Sequence, residues 1–450
     1  MEASSSPKDG LSETALSRRT FLRSSLAASA GLTGIVLTKT PPAFAQEREL
    51  KLLTFAHFVP AADDELRRQL EEFGKQTGVK VRMDQVAHLQ LPAVLASEVQ
   101  GQKGHDIIGL SRFAMPNLYA KQLTKLDDLV EKIGRENGGW INKEIGKGGD
   151  GQYRGVPWFY ISLPIAVRTD LLAELGEELP DTWEDVRRIG QKLKAKGHPL
   201  GIAYSHCEDS NHTLRGIIWS FGGKEVEKDG KTVAINSKET VEAYKFMKAL
   251  YNDTMDGDVL AWDDRNNNVC LNSGKCGMIL NPISAYIAAR NDKALIPGTE
   301  KPIHLVINHI LPPKGPAGRH MSSNPTSIGI WEFSPLKDLA KEFLAYHFQK
   351  ENYEKHIIAS EGYNQAFFGG LTIHPIYASS PKYYFHPYIA WYSHSPGWPG
   401  SPTAAAEVVW DKFIIPDTVA ACATGKQTAE QAVQDAEREM KRIYQRYVEG

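Results

Sequence analysis

An α/β fold is what this sequence predicts, from two observations: short apolar runs alternate with amphipathic helical stretches, and glycines stop the helices where the next run begins. Leu50 to Phe55 reads as a first strand. The stretch after it places Leu66, Leu70 and Phe73 on one helical face, with Gly78 as its stop. Val79 to Met83 and Asp106 to Leu110 read as the second and third strands, and such alternation implies parallel pairing. Ligands in sheets of this kind sit beyond the C-terminal strand ends, here His57-Phe58 and Ser111-Arg112-Phe113. Gly138-Gly139 and the run from Gly146 to Gly151 interrupt the pattern. A helix then opens at Thr182, where Thr-Trp-Glu-Asp resembles a capping box and Val186, Ile189 and Leu193 form the buried stripe. Another helix covers roughly Lys238 to Tyr251. Pro312-Pro313-Lys314-Gly315-Pro316 reads as a rigid, exposed connector, and Leu336 to Phe348 as helix again. The last helix starts near Thr428, with Gln431 three residues on, and turns Val433, Met440, Ile443 and Tyr447 toward a core.

The N-terminus carries an address. Ser17-Arg18-Arg19-Thr20-Phe21-Leu22-Arg23 precedes a mild apolar stretch, Leu26 to Leu37, and then Ala43-Phe44-Ala45 before Gln46. Paired arginines ahead of Phe-Leu mark a twin-arginine export signal, and Ala-x-Ala marks its cleavage. Lys39 discourages the general secretory route. The apolar stretch is short for a membrane span and rich in Gly, Ala and Ser. Cleavage after Ala45 leaves a periplasmic chain of 405 residues, with no cysteine at the cleavage site to carry a lipid anchor. The leader takes five of the 52 basic and three of the 54 acidic side chains, leaving 47 and 51, net −4. That balance argues against nucleic acid or an anionic membrane as partner. The four cysteines, Cys207, Cys270, Cys276 and Cys422, show no zinc spacing. Cys270 and Cys276 are close enough for a local disulfide, but buried free thiols fit the sequence equally well.

Six stretches, taken in order, resemble the family 1 extracellular solute-binding proteins, the maltose-binding-protein-like carbohydrate receptors of ABC importers. They are Leu66 to Val81; Gly104-His105-Asp106-Ile107-Ile108 with Arg112-Phe113; Tyr153-Arg154-Gly155-Val156-Pro157 with Arg168-Thr169-Asp170-Leu171-Leu172; Leu179 to Asp185; Gly274 to Met278 with Asn281; and Leu311 to Gly315 leading into Lys337 to Leu344. Gly425 to Ala432 fits the family's last helix. The resemblance implies a two-lobed periplasmic-binding-protein fold, type II-like, with a hinge and discontinuous lobes. Lobe I would take residues 46–163 and 321–376, and lobe II 164–320 and 377–450, with hinge crossings near Pro164 and His320.

A sugar receptor needs aromatic plates for C–H faces and charged or amide groups for hydroxyls. Trp158, Trp398 and Trp410 are the aromatic candidates, each of which could instead fill a core. Arg112 matches a family arginine whose fork could grip two hydroxyls or form a salt bridge. Asn281 matches the family's cleft asparagine, although Pro282 and Ser284 stand where a glycine and a tryptophan usually follow, so one stacking plate is missing. Asn211 and His212 fall where the family places contacts from the second lobe, and His57 lies in the first strand's loop. Replacing Trp158 or Arg112 by alanine is expected to weaken binding more than folding.

These readings add up to a monomeric, non-enzymatic periplasmic protein that captures a mono- or oligosaccharide or a polyol for an inner-membrane ABC permease. No metal, cofactor or nucleic acid is inferred. Two other functions are compatible with parts of the chain. A ferric-ion receptor of the same architecture would draft Tyr383-Tyr384. An exported polysaccharide-active enzyme would need a catalytic spacing, and neither Gly-x-Ser-x-Gly nor His-Glu-x-x-His occurs.

Overall fold

Leu50, Leu52, Leu53 and Phe55 lose their apolar surface in β1 (Glu49–Phe55), the strand on which the first lobe is built. The computed structural model describes residues 48–371, 374–378 and 380–448, so the export signal and its cleavage site lie outside the described residues. β1 pairs in parallel with β2 (Lys80–Val86) and β3 (Ile107–Leu110). Between β1 and β2 runs the helix Pro60–Thr77, which buries Leu66, Leu70 and Phe73 and ends at Gly78 with φ 70°, a left-handed cap that glycine reaches without Cβ strain.

The parallel pairing expected of the first three strands holds, and later strands add antiparallel partners to it. β4 (Val156–Ile161) carries the chain out of this sheet to a second one. That sheet comprises β5 (Ile165–Arg168), β6 (Leu200–Gly201), β7 (Met278–Leu280) and β8 (Ile307–Ile310), ordered β6-β7-β5-β8. The chain then passes a hairpin, β9 (Lys314–Gly315) and β10 (Gly318–Arg319), and a short β11 (Met321–Ser322). It re-enters the first sheet as β12 (Asn324–Ile330). Coming home from the other sheet, β12 runs antiparallel to both β3 and β4, and β13 (Gln365–Ala366) closes the order β13-β4-β12-β3-β1-β2. The second sheet is mixed as well, because β5 is antiparallel to β7 and β8 while β6 and β7 are parallel.

Two sheets joined by strands that leave one and begin the other make a two-lobed α/β protein. Helices cover both sheets. In the second lobe the helix Trp183–Ala195 begins in a capping box: the Thr182 hydroxyl accepts from the Asp185 amide at 3.0 Å, and the Asp185 carboxylate accepts from the Thr182 amide at 3.1 Å. The C-terminal helix Ala429–Val448 has a similar start, where Thr428 Oγ1 accepts from the Gln431 amide. Val433, Met440 and Ile443 are buried as their spacing demands, but Tyr447 is 46% exposed and faces solvent, one turn beyond the packed part of the helix. Pro312 and Pro313 also depart from expectation. Both are buried, and the connector reaches solvent only from Lys314. Cys270 and Cys276 are joined as a disulfide across a short helix-to-strand turn, while Cys207 and Cys422 are buried free thiols.

Candidate functional site

Three strand ends and one helix start converge between the two sheets. From the first lobe come Phe55 at the end of β1, Phe58 in the loop after it, His88 just past β2, and Tyr363. Ile161, Leu163 and Asn324 belong to the crossing segments. From the second lobe come Glu208, Asp209 and His212 on the first turns of the helix Glu208–Ser220, together with Asp264 and the trio Asn281, Pro282 and Ser284 beyond β7. They line a cleft of about 450 Å³, counting its open mouth. A wider outer recess of about 700 Å³ continues past His57, Phe58 and His88 to Asp263, Asp264 and Arg265.

The lining is polar and held from behind. Asn281 is buried, and its side-chain oxygen accepts from Asn267 Nδ2 at 3.0 Å while its amide donates to Ser284 Oγ at 3.1 Å. His212 Nδ1 lies 2.8 Å from Ser322 Oγ in β11, and the His57 ring is paired with the Asp63 carboxylate. His212 Nε2, His57 Nε2 and Asn324 Oδ1 are buried without a hydrogen-bond partner in the protein. Burial pushes His212 down to about 3 and His88 down to about 4, so both rings are neutral at ordinary pH.

Arg112 is fully enclosed behind this lining. Its guanidinium reaches Glu407 at 2.6 Å, Asp411 at 2.5 Å and Glu208 at 3.5 Å. Burial acts to raise the Glu208 carboxyl, but Arg112, His88, His212 and the Trp410 indole together hold it below the usual range. Glu407 goes the other way: burial, opposed by Arg112 and assisted by Asp411 and Glu208, pushes it up to about 7. One cation shared among three carboxylates leaves this network short of positive charge.

Of the residues singled out in the sequence, the structure brings Asn281 and His212 into the cleft lining and His57 into the outer recess. It places the others elsewhere. Trp158 is wholly buried inside the first lobe, where its indole N–H donates to His347 Nε2 at 2.9 Å and its ring stacks on His356. Trp410 is also wholly buried. It lies behind the cleft, donates to Glu208 Oε2 at 2.7 Å, and carries the Arg215 guanidinium 4.4 Å above its ring. Asn211, on the same helix but outside the cleft lining, accepts from Arg215 and donates to the Trp410 carbonyl. Trp398 is half-buried and stacks on His394, beside β11. Arg112 touches carboxylates rather than lining the cleft. Sequence reasoning passed over Glu208, Asp209, Asp264, His88, Asn324 and Tyr363. Acidic residues in a first helical turn read as complements to the helix dipole, and Asp263-Asp264 reads as a solvated loop, so neither pattern stood out.

As for the iron-receptor reading, Tyr383 is buried near Tyr286 and His386, whereas Tyr384 is 42% exposed, so the adjacent tyrosines do not share one site. Among the described residues no group of three or more His, Cys, Asp or Glu side chains is arranged to hold a metal ion. Nor is any described helix long and apolar enough to cross a membrane.

Residues 60–354 match the family model described as bacterial extracellular solute-binding protein. The chain belongs to this family. No curated protein matches the chain. Among solved structures of solute-binding proteins, maltose-bound MalE3 of T. maritima is similar at a TM-score of 0.74 and 20% identity, covering 88% of this chain and 99% of that one. A sugar transporter of Arthrobacter chlorophenolicus A6 with bound laminaribiose gives 0.75 at 18% identity, with the same coverage. A solute-binding protein of Agrobacterium radiobacter K84 in complex with ribitol gives 0.72 at 18% identity, covering 88% and 98%. At these identities the likeness is one of fold.

Proposed function

We propose that this solute-binding protein is the periplasmic receptor of an ABC importer and captures a small carbohydrate or polyol between its lobes. The observation that carries this reading is the cleft itself. It sits between two sheets, offers the partly buried ring of Phe58, and sets unpaired polar atoms of His212 and Asn324 against it. Hydroxyl-rich guests supply the donors and acceptors such atoms lack. The relatives that hold maltose, laminaribiose and ribitol support the same class of ligand.

Lobe I comprises residues 46–163 and 321–376, and lobe II the remainder of the mature chain, hinged near Pro164 and His320. A ligand touching His88 and Tyr363 on one side and Asp264 and Asn281 on the other favours the closed form by contacting both lobes, and the permease recognises that form. The protein performs no chemistry in this account. The twin-arginine leader delivers it to the periplasm, with Gln46 as the mature N-terminus. A dissociation constant of about 1 μM, or about −8 kcal/mol, lies within reach of such contacts. A thermal-shift screen of the mature protein against mono- and disaccharides and polyols tests the reading: at least one must raise the melting temperature, and less so in Asn281→Leu. If nothing in such a screen shifts the wild type, the carbohydrate reading falls.

A further inference from the structure

The cleft is electrically one-sided. Glu208, Asp209 and Asp264 line it, and no lysine or arginine does. Arg112, the cation behind Glu208, is already shared with Glu407 and Asp411. Arg265, in the outer recess, has Asp263 and Asp264 beside it.

Asp209 and Asp264 form a tight pair. The Asp209 amide donates to Asp264 Oδ1 at 3.0 Å, and Asn267 Nδ2 donates to Asp209 Oδ2 at 2.6 Å. The groups that act on the pair are other carboxylates and neutral hydrogen-bond donors. Burial and the Glu208 charge push Asp264 up to about 6, and burial and the Asp264 charge push Asp209 well above the usual carboxylate range. Two such groups side by side hold negative charge poorly unless something positive comes to them. In the same lining, His212 is 4% exposed and Asn324 is 6% exposed, and each has a buried polar atom, Nε2 and Oδ1, that no protein group satisfies.

The geometry points to a saccharide or polyol bearing a protonated amine as the guest this cleft selects, with the ammonium held between Asp209 and Asp264 and neighbouring hydroxyls taken by His212 Nε2 and Asn324 Oδ1. This rests on the carbohydrate-receptor reading and narrows it. An ammonium brings three donors, enough for both carboxylates at once, and charge-assisted bonds are the stronger kind. A uronic acid or sugar phosphate would bring a further carboxylate or phosphate charge to an acidic lining that holds no lysine or arginine.

The test is calorimetry on the mature protein with matched series in the gluco, galacto and manno configurations: the neutral hexose, the 2-amino-2-deoxyhexose and the hexuronate. The amino sugar of at least one series is expected to bind about tenfold or more tighter than its neutral partner. The hexuronate should not bind measurably. Asp264→Asn and Asp209→Asn should each erase the preference for the amine, so that the amino sugar binds the variant no tighter than its neutral partner. For the wild type alone, the preference should shrink as ionic strength rises. A neutral hexose that binds as tightly as its amino counterpart, or a hexuronate that binds at all, overturns the inference while leaving the receptor reading intact. If calcium or putrescine binds and no amino sugar does, the acidic pair serves another guest and the inference is overturned. Failure of every saccharide, charged or neutral, sinks both readings together.

Discussion

Arg112 is a buried cation shared by Glu208, Glu407 and Asp411. Removing it strands Glu208 and Glu407 as buried charges without a cation, so Arg112→Ala is predicted to cost about 3–5 kcal/mol of folding stability, measured by urea denaturation. Arg112→Lys, which keeps the charge but not the fork, should lose less. Trp158→Ala should likewise cost about 3–5 kcal/mol, because the indole fills the core against His347 and His356. For both residues the expectation reached from sequence reverses: the dominant loss is in folding, not in binding. The sequence marked these residues as special but could not say which way they face, since a tryptophan next to proline suits a cleft rim and a core strand alike.

Glu407 supplies a pH signature at the same scale. The groups that face it are Arg112, Asp411 and Glu208, and its folded-state carboxyl is raised to about 7 from an ordinary 4.5. A carboxyl raised on folding stabilises the protein fully below its unfolded value, and that contribution is lost as pH climbs from about 4.5 to about 7. Glu407→Gln should therefore flatten the fall in melting temperature across that window, gaining stability at pH 8 and changing little at pH 4. An unchanged pH profile in the variant would show that Glu407 is ionised throughout.

Two elements carry predictions of their own. Thr182 caps the helix Trp183–Ala195 through reciprocal bonds with Asp185, so Thr182→Ala is predicted to cost about 1 kcal/mol by chemical denaturation. The Cys270–Cys276 bridge closes a loop with a sequence separation of 6 between a short helix and β7. Opening it should cost about 2 kcal/mol, read as the difference in denaturation midpoint with and without reductant. Legibility at this scale was uneven. The caps at Thr182 and Thr428 and the stripes of the helices they start were readable, since capping and periodicity are local physics. The antiparallel course of β12 was not, because it follows from a path through another lobe that no local pattern encodes. Tyr447 kept the right spacing yet faces solvent, as the helix outruns the surface that it packs on.

At the scale of the whole molecule, the resemblance read from ordered motifs anticipated the two-lobed fold and the family, and two of the residues it pointed to, Asn281 and His212, line the cleft. It did not find the acidic side of the cleft. Asp209 and Asp264 are 55 residues apart in sequence and meet only because the loop before the helix Asn266–Asn272 packs against the start of the helix Glu208–Ser220. Such pairings are products of the fold, and a carboxylate that looks solvated in sequence acquires its buried neighbours only there. The account as a whole rests on two lobes that close on a polar guest. Small-angle X-ray scattering of the mature protein, titrated with whichever saccharide raises its melting temperature most, addresses that claim most directly. The account predicts a saturable decrease in radius of gyration that tracks the binding isotherm; a radius that stays constant through full saturation would contradict it.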